Sequence, residues 1–313
     1  MFYERINMPD GREAIRVFGL GRYDLKDTFE CGQCFRYELI SKSEDYVEYM
    51  TVVGKKIIIA AQEKAGELYF IGMTDEDFHS VAIPYFTLCT DYEKIKEDIV
   101  KRTSSAWLKA AADAACGIAI LKQDPWEALF SFIISQNNNI PRIRGMIRRL
   151  AAEYGVNICL QENVKVCPLG KISSTPCEKL CRECGSCYTF PTAKDVYENP
   201  EKMKLSNPGF RYKYLYDAAR RVATGEINLD LIGAARSYEY TKNRLTEILG
   251  VGEKVASCAA LFGFGNLEAF PIDVWMRRAI DEYFDGSLDP NTLGRYAGVA
   301  QQYIFHYIRN LNK

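Results

Sequence analysis

Strand-like patterning is confined to the opening stretch of this chain, and that segregation limits the fold more than any other feature. Alternating or β-branched runs occupy residues 35–40, 46–53, 56–61 and 67–71, inside a region from about 12 to 72. Turn-forming residues at 41–45, 54–55 and 64–66 separate them, which predicts an antiparallel meander. Helical periodicity follows at about 74–85, 92–101 and 104–115, and from about residue 118 it dominates. Strands gathered at one end and helices at the other mark an α+β chain rather than an alternating α/β one. The 313 residues therefore divide into an N-terminal domain over 1–117 and an all-α domain over 118–313.

Within the second region, Asp124 is placed to cap a helix, Pro125 fits its first position and Glu127 completes a capping-box pattern. Trp126, Leu129, Phe130 and Ile133 form its core-facing stripe. A polar break at 135–139 leads to a second helix with Ile143, Met146, Ile147 and Leu150 on one face, ending near Gly155. Arg142, Arg144, Arg148 and Arg149 lie off that stripe. Residues 157–190 are irregular and read as an insertion. Helices resume at about 192–198, 212–224, 241–248 and 253–264, another starts at Asp273, and a last one covers about 293–311.

Leu249-Gly250-Val251-Gly252 joins two of these helices. The glycines permit a tight reversal and leave the amides at the start of the second helix bare, an arrangement suited to a phosphate. An ordinary helical hairpin with a glycine C-cap accounts for the same pattern. Lys254 sits in the first turn after it, where the positive end of the helix and apolar neighbours disfavour a charged amine. An uncharged amine is what nucleophilic attack requires. Cys258 is one turn further on the same face, and Asp273 follows within Pro271-Ile272-Asp273-Val274-Trp275. Singly, Lys254 reads as a solvated lysine and Asp273 as a plain N-cap. Together, behind a glycine hairpin, they are much harder to dismiss as unrelated residues.

The stretches 249–258 and 270–274 resemble the helix–hairpin–helix DNA glycosylases of the 8-oxoguanine branch. The resemblance implies an N-terminal antiparallel β-sheet (TBP-like) domain joined to an all-α helix–hairpin–helix glycosylase domain. It implies that Lys254 is the nucleophile forming a Schiff base with the sugar, and that Asp273 supports charge there. Cys31-Gly32-Gln33-Cys34-Phe35-Arg36 is similar to the family segment whose glycine carbonyl accepts a hydrogen bond from N7–H of 8-oxoguanine. The segment 130–140 is similar to the one that fills the hole left by a flipped base, so Asn137 and Arg142, with Arg211, would face the orphaned cytosine. Ala300-Gln301-Gln302-Tyr303-Ile304-Phe305 matches the lesion pocket. There Gln301 would bond the Watson–Crick edge, and Phe305 and Cys258 would sandwich the base. Gly250 and Gly252, with Arg144, Arg148, Arg211 and Lys213, would grip the backbone. The chain departs from the pattern at Leu249, where a proline is common, at Trp275, where eukaryotic members have histidine, and at Phe210, where a tyrosine often wedges beside the orphaned base.

The expected activity is excision of 8-oxoguanine from duplex DNA with accompanying AP lyase cleavage, by a monomer and without a catalytic cofactor. A glycosylase for alkylated purines and a hairpin module that only binds DNA are the rivals, and neither needs Lys254. Net charge is −1, so any basic DNA-facing surface is local. The start lacks an apolar signal core or Arg-rich leader, and no apolar run approaches a membrane span. A soluble protein is expected, cytoplasmic and nucleoid-associated in a prokaryote. Eleven cysteines, an odd number without an export signal, fit a reducing compartment. Cys177, Cys181, Cys184 and Cys187 are spaced to hold a tetrahedral structural zinc, with Cys159 and Cys167 as substitutes. An iron–sulfur cluster and unliganded thiols are the alternatives. Cys31, Cys34, Cys89 and Cys116 read as packed small residues.

Overall fold

The computed structural model describes residues 1–161, 169 and 185–311. Six antiparallel strands form one sheet in the order β1-β2-β6-β5-β4-β3: β1 Phe2–Asn7, β2 Glu13–Phe18, β3 Tyr37–Lys42, β4 Val47–Val53, β5 Lys56–Gln62 and β6 Leu68–Ile71. The expected meander accounts for β3 to β6. β2 pairs instead with the far side of β6 and carries β1 as the outer edge. β1 begins before the stretch that sequence patterning marks as strand. Five of its six residues are exposed, so it shows no alternation to read. Glu4 pairs with Arg16 across it, and charge on an edge strand discourages further strand addition.

A short helix, α1 (Leu25–Glu30), packs Phe29 among Tyr37, Tyr49 and Phe86 against one face of the sheet. Asp24 caps it by accepting from the Asp27 amide at 2.7 Å. The helix went unread because it spans fewer than two turns. Its position matters, because it ends at Cys31 and delivers Gly32.

The helical body contains α2 (Tyr92–Arg102), α3 (Ala106–Ala114), α4 (Pro125–Ser135), α5 (Ile140–Tyr154), α6 (Ala193–Glu198), α7 (Tyr212–Ala223), α8 (Leu229–Ala235), α9 (Tyr238–Thr246), α10 (Glu253–Phe262), α11 (Val274–Tyr283) and α12 (Ala297–Leu311). α4 is its axle. Beyond the expected stripe, Ala128, Ser131, Phe132 and Ile134 are buried too, the pattern of a helix enclosed on every side. α8 has no counterpart in the sequence reading, and α12 starts at Ala297 because Gly294, at φ +68, breaks the preceding turn. Asp124 caps α4 as expected, but Glu127 turns away to Arg36 at 3.0 Å, so the capping box is half made.

Two large cores and two small clusters result among the described residues, and the large cores do not divide at residue 117. Ile95, Ile99, Leu108 and Ala112, from α2 and α3, lie in the helical core. The sheet core closes over Ala119 and Leu121. Among the described residues, no helix is long and apolar enough to cross a membrane.

Candidate active site

Gly250 makes the reversal between α9 and α10. Its φ is +77, and a β-carbon there would sit 2.4 Å from the Tyr214 ring on α7, so glycine is required both for conformation and for space. Gly252 then caps α10 with no side chain, and nothing lies within 4 Å of where its β-carbon would be. The first amides of α10 therefore face open space at the positive end of the helix.

Lys254 stands in that first turn, half-buried, with Nζ 5.3 Å from the centroid of Phe132 on α4. Cys258, one turn on, is buried. Burial pushes its thiol up, Lys254 pulls it down and Asp273 pushes it up again. The sulfur thus remains a neutral, polarizable wall. Asp273 caps α11, its Oδ1 accepting from the Met276 amide at 2.9 Å. Gln301 and Phe305 project from α12 one turn apart. Gly32 approaches from α1 with φ +89, and a β-carbon there would lie 3.5 Å from Phe305.

These groups meet in one slot. Gly32, Lys254, Cys258, Asp273, Gln301 and Phe305, distant in sequence, line a pocket of about 40 Å³ together with Phe132, Phe262, Pro271 and Gln302. Its mouth opens into a groove of about 670 Å³ that runs past Asn137, Ile140, Gly252, Val274, Trp275 and Arg309. A lysine amine, a carboxylate, a neutral sulfur and two carboxamides in one recess with Phe132, Phe262 and Phe305 suit a planar polar ring held beside a nucleophile.

Residues 18–129 match the family model for the N-terminal domain of 8-oxoguanine DNA glycosylase. The structure described as MBOgg1 in complex with a low affinity DNA ligand superposes with a TM-score of 0.81 at 33% identity, covering 100% of both chains. The Clostridium acetobutylicum 8-oxoguanine glycosylase/lyase, solved with duplex DNA carrying cytosine opposite 8-oxoguanine, gives 0.80 at 30% identity over 100% of this chain and 99% of that one. An N-glycosylase/DNA lyase of Saccharomyces cerevisiae is 26% identical over 86% of this chain and 70% of its own length. The chain belongs to the 8-oxoguanine DNA glycosylase family. Its α+β fold, a six-stranded sheet followed by helices, is the fold of those glycosylases.

Against that family pattern, several expected DNA contacts are placed differently. Asn137 is exposed in a left-handed conformation, φ 47, and Arg142 is exposed in the first turn of α5. Phe210 is 49% exposed and its ring lies 4.4 Å from the Arg211 guanidinium. Arg211 itself is only 2% exposed and donates to the backbone carbonyls of Gln136, Asn137 and Pro208. It buttresses the loop that presents Asn137 instead of standing open to an orphaned base. Burial, then the nearby Arg142, pulls its pKa down. Arg144 and Arg148 are likewise committed. Arg148 grips Glu38 of β3 at 2.6 and 2.7 Å, while Arg144 stacks 4.2 Å over Tyr37 and reaches the same carboxylate. Both tie α5 to the sheet. Lys213 is exposed at the start of α7.

Sequence reasoning passed over several residues that build the slot. Gln33 is fully buried, donating to the Thr28 and Ala119 carbonyls and accepting from the Leu121 amide at 2.7–2.8 Å, which pins the segment carrying Gly32. Phe132 forms the floor under Lys254. Gln302 and Pro271 also line the recess. All four lie inside the motifs that carry the resemblance, so proximity to the named residues was the available signal. Of the cysteines, Cys31 and Cys34 are buried as expected and Cys116 is half-buried. Cys89 is exposed, because it follows the last apolar residue before the turn into α2. Cys177, Cys181, Cys184 and Cys167 fall outside the described residues. Cys159 and Cys187 are buried together with Met50 and Tyr188.

Proposed function

We propose that this protein excises 8-oxoguanine from duplex DNA and then cleaves the strand, with Lys254 as the nucleophile. The convergence of Lys254, Cys258, Asp273, Gln301, Phe305 and Gly32 on one recess is the observation that carries the reading. A stacked base cannot reach that recess, so the nucleotide must swing out first, at an unstacking penalty of a few kcal/mol. Phe305 and Cys258 then take the base's two faces, Gln301 its Watson–Crick edge, and the Gly32 carbonyl the N7–H that normal guanine lacks.

The Lys254 lone pair forms a bond to C1′ as the glycosidic bond breaks and the base departs with the electron pair and a proton. Asp273 stabilises the positive charge that grows on the sugar. Loss of the ring oxygen's bond gives an iminium, and removal of a C2′ proton expels the 3′ phosphate. No cofactor enters these steps. Amides of the Gly250–Gly252 hairpin would hold one strand, while Asn137, Arg142 and Phe210 would occupy the gap beside the orphaned base.

Borohydride should trap a covalent complex between the protein and a duplex containing 8-oxoguanine, and the trap should vanish in Lys254→Gln. Base release without any trap would point to a water-using enzyme, and no release of any base to a DNA-binding module. For the cysteine cluster, zinc held by Cys177, Cys181, Cys184 and Cys187 rests on sequence spacing. Purified protein should contain about one zinc, lost in Cys181→Ser; a metal-free preparation would end the idea.

A further inference from the structure

Arg309 stands half-buried on the last turn of α12, one turn beyond Phe305. Its guanidinium carbon lies 5.2 Å from the centroid of the Phe305 ring, and a β-carbon on Gly32 would come 3.7 Å from one of its nitrogens. It lines the groove and not the slot, which places it at the slot's mouth. Among the described residues its guanidinium meets no carboxylate and makes no hydrogen bond. Arg144, Arg148 and Arg211 differ in this, because their donors are spent inside the protein.

Among the described residues lining the groove, Lys254, Asp273 and Arg309 alone carry charge. A strand laid there brings a phosphate on each side of the flipped nucleotide. Lys254 cannot act as their counter-ion, because its amine must be neutral to attack C1′. Asp273 repels them. Arg309 is thus the fixed positive charge left in the groove. A cation near a helix C-terminus is also favoured by the helix dipole, which accounts for a basic residue here but not for unspent donors beside the slot.

We propose that Arg309 is a phosphate-binding residue: it takes one of the two phosphates that flank the flipped nucleotide, a contact separate from those of the hairpin amides. A guanidinium presents two parallel N–H donors matched to two phosphate oxygens and keeps its charge at any working pH. Resting on the Phe305 ring already restricts the long side chain, so less freedom is lost on binding. The inference rests on the reading of the slot as a lesion pocket.

The test measures binding of a duplex carrying a non-cleavable abasic analogue, by fluorescence anisotropy, between about 50 and 200 mM salt. Arg309→Met keeps an apolar stem on Phe305 and removes the charge. Affinity should fall about tenfold, and the slope of log affinity against log salt should lessen by about one. Arg309→Lys should keep the slope. In the unmodified protein, replacing one flanking phosphate by an uncharged methylphosphonate should cost about the same tenfold, and in Arg309→Met that replacement should cost nothing further. An unchanged slope in Arg309→Met would overturn the proposal. So would an unmodified protein indifferent to neutralising either flanking phosphate, or a methionine variant still as sensitive to it, the arginine then only propping Phe305. Failure of the unmodified protein to trap at an abasic site, with these binding effects present, would instead count against the lysine mechanism and leave the phosphate contact standing.

Discussion

On the proposed mechanism Asp273 serves structure and chemistry with one carboxylate. It caps α11 through the Met276 amide and lines the slot beside Lys254. The two roles separate in Asp273→Asn, because asparagine caps a helix about as well as aspartate but carries no charge. Base release should fall on the order of 100-fold or more, the usual loss when a group stabilising transition-state charge is removed, with the melting temperature little changed. Single-turnover kinetics and thermal melting on the same preparation check both halves. Arg211 shows how a residue's type can be legible while its task is not. An arginine next to an exposed aromatic reads as a DNA contact, yet its donors are spent on three backbone carbonyls, two of them in the loop it supports.

At the scale of elements, the hairpin depends on a contact between distant helices. Gly250 lies flat against Tyr214 of α7, so any side chain there moves the α9–α10 turn as well as straining its backbone. Gly250→Ala should weaken binding to an abasic duplex about tenfold, measured by fluorescence anisotropy, while the helical content by circular dichroism holds. The motif's lysine and glycines were plain in the sequence, because their chemistry is local and their spacing unusual. β1 and α1 were not, since an exposed edge strand has no apolar rhythm and a helix of under two turns has too few residues to show one. The ion pairs from α5 to Glu38 were equally hidden: nothing in a helix's own sequence tells whether its arginines meet a phosphate or a carboxylate from another element.

For the whole molecule, segregation of strands from helices was readable, but the partition of the cores was not. α2 and α3 precede the expected boundary and still pack with the helices beyond it, because packing follows apolar faces and not chain order. Net charge is also a whole-molecule property, and at −1 it offers DNA no general attraction. With Arg144, Arg148 and Arg211 committed internally, the proposed grip on DNA would fall to hairpin amides and a few exposed cations such as Arg142 and Lys213. About four neutralised phosphates would cost on the order of 100-fold in affinity between about 50 and 200 mM salt, and a titration across that range measures the slope.

The slot described above is small, about 40 Å³, and it opens onto the wider groove. A purine swinging in from its strand would therefore have to part Phe305 from Cys258, with the backbone clamped alongside in the groove supplying the leverage.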